Sequence, residues 1–411
     1  MRRATTALVI GGGIAGPATA LALARAGIRA TIYEAHPGAA DHVGAMLSLA
    51  PNGLAALRII GADGPVRAVG HPVPRVVMAD GAGTHRAAFD GFPELPATLA
   101  MARMDLFRAL ADHATAAGVP VEYGKSLVAA EDAPDGITAT FADGTTATAD
   151  VLIGADGIRS TVRTLIDPQA PGPEYGGVLS FGGYSAETAA EAEPGTMYFA
   201  FGRTFIGYWR VPDGRICWFA SLPRTEPLTT AEVGRVSPAD WLARLRARYA
   251  GHVPGEALLA AADPTTLMAV GPMERMPSVP RWHRRRMVLV GDAAHAPSSS
   301  SGQGASLAVE SAVELARCLR DLPHPEAFAA YERLRRPRVE MIGGDAAVKN
   351  RAKAGQAGDR PAMPTPEQMF APVHRHHIDW QETVRPLAER SVEEGSRGPA
   401  RRVAGGSAAV S

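Results

Sequence analysis

Residues 7–16 read Ala7-Leu8-Val9-Ile10-Gly11-Gly12-Gly13-Ile14-Ala15-Gly16. The first four are aliphatic and partly β-branched, which predicts a buried strand of a parallel sheet. Residues 18–26 are rich in alanine and leucine and stop at Gly27, which predicts a helix. Ala30-Thr31-Ile32-Tyr33 predicts a second strand that ends at Glu34. Together they form a βαβ unit. Gly11 permits the tight turn, Gly13 lets backbone approach a pyrophosphate, and Gly16 lets helix pack on strand. The helix start presents bare N–H groups to phosphate. Glu34 is placed to accept hydrogen bonds from ribose hydroxyls, and its charge disfavours a 2′-phosphate. The unit reads as an adenine-dinucleotide site, with FAD and NAD both open.

The chain around it has 411 residues, with 42 Lys+Arg against 42 Asp+Glu. Zero net charge argues against a nucleic-acid partner held through phosphates. Hydrophobic content of 46% and charged content of 20% are globular values. Cys217 and Cys318 are too few for a disulfide framework and have no metal spacing. The opening residues lack the apolar core of a signal peptide, and no apolar run reaches membrane-spanning length. A cytoplasmic protein without a membrane partner is expected.

Two further segments repeat the pattern of a strand running into a turn. One is Val151-Leu152-Ile153-Gly154-Ala155-Asp156-Gly157-Ile158-Arg159-Ser160, and the other is Met287-Val288-Leu289-Val290-Gly291-Asp292-Ala293-Ala294-His295. The second continues into Gly302-Gln303-Gly304-Ala305-Ser306 and a helix to about Arg320. With the glycine motif, Glu34 and Arg103 of Met101-Ala102-Arg103-Met104-Asp105-Leu106, their order resembles the class A flavoprotein monooxygenases. That group is para-hydroxybenzoate hydroxylase-like and includes aromatic hydroxylases of natural-product pathways and tetracycline-modifying enzymes.

The resemblance spans residue 6 to about 350 and implies an α/β fold. A Rossmann-like FAD-binding domain (1–72, 99–171, 271–350) would interleave with a mainly antiparallel sheet domain for substrate (73–98, 172–270). C-terminal helices (351–394) and a disordered tail (395–411) would follow. FAD would be the cofactor, with Gly11, Gly13, Ile14, Ala15 and Gly16 at its pyrophosphate and Glu34 at its ribose. Arg103 would approach the pyrophosphate and ribityl chain, and the backbone of Leu127 would meet the adenine. Asp156 and Gly157 would steady the cofactor chain, and Asp292 would accept from ribityl hydroxyls. Gly302, Gly304 and Ala305 would open a helix toward the flavin pyrimidine ring. A helix N-terminus there favours the negative charge of reduced flavin by ~0.3–2 kcal/mol. NADH or NADPH would bind transiently, and O2 would yield a flavin C4a-hydroperoxide that passes one oxygen atom to substrate.

Three departures from the family pattern stand out. Ser299 replaces the usual proline four residues after the GDAAH histidine, inside the run Ser298–Ser301. Glu310-Ser311 stands where Glu-Asp is common, and Ala35-His36 follows the strand-end Glu34. No side chain stands out as a catalytic acid or base. His295 is read as a packing and hydrogen-bonding residue of its turn.

Aromatic residues concentrate between 172 and 270, on segments with strand character. Tyr198, Phe205, Trp209 and Trp218 are the candidate lining of a substrate pocket. Short strands near 75–78 and 84–89 would join the same sheet. Cys217 is expected as a buried filler. Residues 325–353 predict a long outer helix kinked near Pro337, its run Arg333–Arg338 read as a solvated face. His374-Arg375-His376-His377 is read as no metal site, since adjacent histidines do not converge. The expected reaction is hydroxylation of an apolar, aromatic natural-product intermediate by a monomer or homodimer. Epoxidation, Baeyer–Villiger chemistry, and a flavin-binding cyclase or regulator are the alternatives. A flavin halogenase is disfavoured, because Tyr208-Trp209-Arg210-Val211-Pro212 lacks its first tryptophan and the three lysines are ill placed.

Overall fold

A computed structural model describes residues 3–38, 46–353 and 365–386. Its centre is a six-stranded sheet in the order 283–284, 287–289, 151–154, 6–10, 29–34, 121–123. The four strands at its heart are parallel neighbours: Val9 pairs with Ile153 and with Ile32, and Ile153 with Val288. Val9, Ile153 and Val288 have no exposure. That is why these runs are apolar throughout and do not alternate. The helix Ala15–Arg25 packs behind the first strand and begins three residues before the alanine-rich run. The helix Gly304–Asp321 lies against it, with fourteen of its residues buried.

The second large layer is a seven-stranded sheet in the order 268–275, 174–185, 216–223, 205–210, 196–201, 75–80, 85–89. All neighbours are antiparallel except Thr196–Phe201 with Arg75–Asp80. The strands from 75–80 and 85–89 therefore do join it. One face packs on the helices Pro238–Tyr249 and Val253–Ala260, through Trp241, Leu242, Leu245 and Leu258. The other packs toward a small sheet of Met46–Leu49, Thr98–Ala102 and His71–Val73. A further three-stranded sheet, Leu127–Ala133, Gly136–Phe141 and Thr146–Ala149, is threonine- and alanine-rich.

The expected outer helix runs His324–Lys353 with Pro337 inside it. Its arginine run is not a solvated face. Arg335 is 1% exposed and pairs with Glu310 at 2.8 Å, and Arg338 reaches the same carboxylate. Phe328 and Tyr331, with no exposure, turn this face of the helix inward, and the arginines follow. Beyond residue 364 the described chain holds one helix, Pro366–His374, and then runs without helix or strand to 386. Arg317 and Arg320 hold this segment through the carbonyls of Asp379, Trp380 and Glu382. The tail from residue 395 lies outside the described residues.

Candidate functional site

Three turns at the C-terminal edge of the parallel strands meet. Gly11 sits at φ +103°, a conformation that side chains avoid. A Cβ there would also lie 2.5 Å from the Ala155 carbonyl oxygen and 2.8 Å from the Asp156 Cα. A Cβ on Gly16 would lie 2.1 Å from the Gly11 carbonyl oxygen, so helix and turn touch backbone to backbone. Gly291 brings the third turn in, where a Cβ would meet the Ala15 Cβ at 2.9 Å. Arg163 ties the second turn to the third by donating to the Ala293 carbonyl at 3.1 Å.

A cavity of about 380 Å³ opens at this junction. Gly11, Gly13, Ile14, Glu34, Arg103, Leu127, Asp156 and Gly157 all line it. Ala15 and Gly16 lie beneath it, buried in the helix. Asp292, Gly302, Gly304 and Ala305 are not part of this lining. Asp292 adjoins it electrostatically: burial raises its carboxyl to about 6, against the opposing pull of the Arg103 charge. Tyr33, His36, Phe107, Tyr123 and Lys125 also line the cavity. Sequence reading missed Lys125, whose ammonium is already bound to Asp143 at 2.6 Å and Thr145 at 2.9 Å.

The acidic residues are held by backbone. The Gly12 amide donates to Glu34 at 2.6 Å, and the His36 amide donates to its other oxygen at 2.9 Å. Asp156 accepts from the Ser160 hydroxyl and from the Val162 amide at the start of the helix Thr161–Ile166. Burial raises its carboxyl above the usual carboxylate range. Asp156 therefore fixes the turn as well as facing the cavity.

A dinucleotide fits this frame. Gly13, Gly157 and Gly304 each have nothing within 4 Å of where a Cβ would stand, so backbone is open to a ligand at three points. Gly302, at φ +63°, turns the chain into the helix at Gly304. His295 is buried, with its Nε2 2.8 Å from the Ser311 hydroxyl. Burial and the Arg335 charge push its imidazole down to about 3, so it stands neutral. Among the described residues no group of three metal-ligating side chains forms.

The four aromatic candidates part company. Tyr198 and Trp218 belong to the face covered by the outer helices, packed with Trp241 and Leu245. They are sheet core, which corrects their place in the expected pocket lining. Trp209 lies on the opposite face with Met197 and Cys217, flanked by partly exposed Phe199, Phe219 and Tyr184. Phe205 joins that group, 5.7 Å from Phe219 and 6.0 Å from Phe199 between ring centres. Strand alternation separates neighbours such as 218 and 219.

The FAD binding domain family matches residues 4–343. The chain belongs to this family, within the class A flavin monooxygenases, and is an FAD-dependent oxidoreductase. It is similar to the aurachin C monooxygenase/isomerase of Stigmatella aurantiaca, 32% identical over 356 residues, 84% of this chain and 88% of that one. It is similar to a 3-amino-4-hydroxybenzoate 2-monooxygenase of Streptomyces platensis, 34% identical over 359 residues, 81% of this chain and 85% of that one. Among solved structures it resembles Klebsiella pneumoniae HpxO complexed with FAD and uric acid, with TM-score 0.76, 26% identity and 95% of both chains covered. No described helix is long and apolar enough to cross a membrane.

Proposed function

We propose that this FAD-dependent monooxygenase hydroxylates a neutral aromatic intermediate of natural-product metabolism. The observation that carries the substrate class is the inner face of the seven-stranded sheet. Val76, Met197, Phe199, Trp209, Cys217, Phe219 and Tyr184 form an apolar, aromatic-rich cluster on it. The nearby Arg215 is spent on Asp213 at 2.7 Å and on the Tyr184 ring at 4.4 Å. A flat apolar ring would stack on these side chains.

In this reading the chain divides as its sequence suggests. Residues 1–72, 99–171 and 271–350 hold the cofactor, and 73–98 with 172–270 hold the substrate. Gly11, Gly13, Ile14, Ala15 and Gly16 carry the pyrophosphate, with Glu34 at the adenosine ribose and Leu127 at the adenine. Arg103 faces the pyrophosphate, Asp156 and Gly157 the cofactor chain, and Asp292 the ribityl hydroxyls. Gly302, Gly304 and Ala305 face the flavin ring with backbone N–H groups. Bound flavin supplies hydride acceptance from NADH or NADPH and activation of O2. The protein's share is to exclude water and to hold the ring of the substrate against the cofactor.

The test is a yellow holoprotein whose NAD(P)H oxidation is stimulated by neutral polycyclic aromatics. Product from labelled O2 should gain one oxygen atom on a ring carbon. Stimulation by benzoate-type acids alone would refute the substrate class.

A further inference from the structure

Asn52 stands second in the helix Pro51–Ile59 and is 1% exposed. Its amide nitrogen donates to the side-chain oxygen of Gln303 at 3.0 Å and to Glu310 at 2.6 Å. Both amide protons are thereby used, while its own oxygen has no hydrogen-bond partner among the described residues. A position needed only for packing would carry an apolar side chain, since an unpaired buried acceptor is costly. Glu310, also 1% exposed, is an anchor for the bond. Arg338 grips it with two nitrogens, at 2.8 Å and 2.9 Å, and Arg335 lies 2.8 Å away. The other end of the link is Gln303, 5% exposed, between Gly302 and the first residue of the helix Gly304–Asp321. Its backbone amide donates to the Ser301 hydroxyl at 3.0 Å. Beside it, the Ala50 amide donates to the Ser306 hydroxyl at 3.3 Å.

We propose that Asn52 is a positioning residue for the flavin, passing the fixed position of Glu310 to the turn Gly302–Gln303–Gly304 and so aiming that helix start at the isoalloxazine. The inference rests on placing the flavin ring at this turn. Without the link Gln303 has one fewer tether, and the N–H groups of residues 304–306 lose their fixed direction. A fixed set of donors favours reduced, anionic flavin over oxidised flavin, and a loose set favours it less.

Asn52→Leu and Gln303→Met are similar in size to the residues they replace and leave the contacts of Arg338 and Arg335 to Glu310 in place. Each variant and the pair are titrated with oxidised FAD, and the reduction potential of the bound flavin is measured. We expect FAD to bind at least tenfold more weakly in each single variant. The preference for reduced over oxidised flavin should fall about threefold or more. The double variant should be no worse than the weaker single, because one link is cut either way. Singles that match the wild type in both readouts, or a double whose loss is the product of the singles, overturn the proposal. Should Asn52→Leu not fold, Gln303→Met decides alone by the same two readouts. Asp292→Ala is run alongside. If it keeps full flavin, the placement of the ring is wrong and the inference falls with it. If it loses flavin while the Asn52 and Gln303 variants keep it unchanged, only the inference falls.

Discussion

The carboxylate of Glu34 is bound to the amide of Gly12 at 2.6 Å, so the acidic end of the second strand and the glycine turn are one rigid piece. Both of its oxygens accept from backbone N–H groups, the second from His36 at 2.9 Å. Glu34→Gln puts an amide NH2 against one of those donors. FAD affinity should fall about tenfold, the worth of one good hydrogen bond to a charged group. Fluorescence titration of the apoprotein measures it. An unchanged dissociation constant would show that the turn keeps its shape without this carboxylate.

Asp292 should make flavin binding depend on pH. Burial raises its carboxyl to about 6, and Arg103 only partly offsets this. The unfolded chain ionises Asp292 near 4, so its native form is favoured while protonated. Stability of the apoprotein should fall as pH rises from about 4 to 6, by at most about 3 kcal/mol from this group. Asp156, raised by burial in the same direction, adds to the slope. In Asp292→Asn the slope in melting temperature should flatten without vanishing. On the proposed placement of the ribityl chain, its hydroxyls donate more strongly to the ionised acid, so FAD affinity in the wild type should instead climb through pH 6.

Trp218 and Phe219 are chain neighbours with opposite duties. Trp218 has no exposure and packs among the outer helices. Trp218→Ala should cost about 3–5 kcal/mol of stability. Phe219 is partly exposed on the inner face, its ring lying over Gly207. Phe219→Ala should leave the melting temperature within a few degrees and raise KM for an aromatic substrate several-fold. Thermal unfolding and steady-state kinetics on the two variants separate the faces. An equal rise in KM in both variants would contradict this separation of the faces.

The two thiols should be inert. Cys217 and Cys318 have no exposure, and burial pushes both thiols well above the ordinary cysteine range. A thiol reagent should label neither in the native protein and both after denaturation. Stoichiometric native labelling, read by mass spectrometry, would contradict this packing.

The βαβ unit was legible because its message is local. An aliphatic run, three spaced glycines and a strand-end acid all lie within thirty residues. The faces of the seven-stranded sheet were not legible. Alternation shows that 218 and 219 point apart, but both faces are aromatic, and only the covering helices decide which is core. The arginines at 335 and 338 misled for a related reason. Charge in a helix predicts solvent unless a buried partner is known, and Glu310 sits more than twenty residues away in sequence. The bond from Asn52 to Gln303 spans 251 positions and leaves no trace in any local pattern. The sheet from 127 to 149 carries few large apolar residues, so little marked it as strand.

Arginine side chains act as a row of hooks for the last described segment. Arg25 and Arg320 both lie over the Trp380 ring, at 5.4 Å and 4.9 Å, Arg317 holds the carbonyls of Asp379 and Glu382, and Arg338 holds those of Pro372 and Val373. The family match stops at residue 343, before all of these carbonyls. Trimming the polypeptide at residue 343 would thus remove these partners from four guanidinium groups, one of which, on Arg338, also holds Glu310. The stretch 372–382 is a fastening, and its removal would be felt at Glu310 and Asn52.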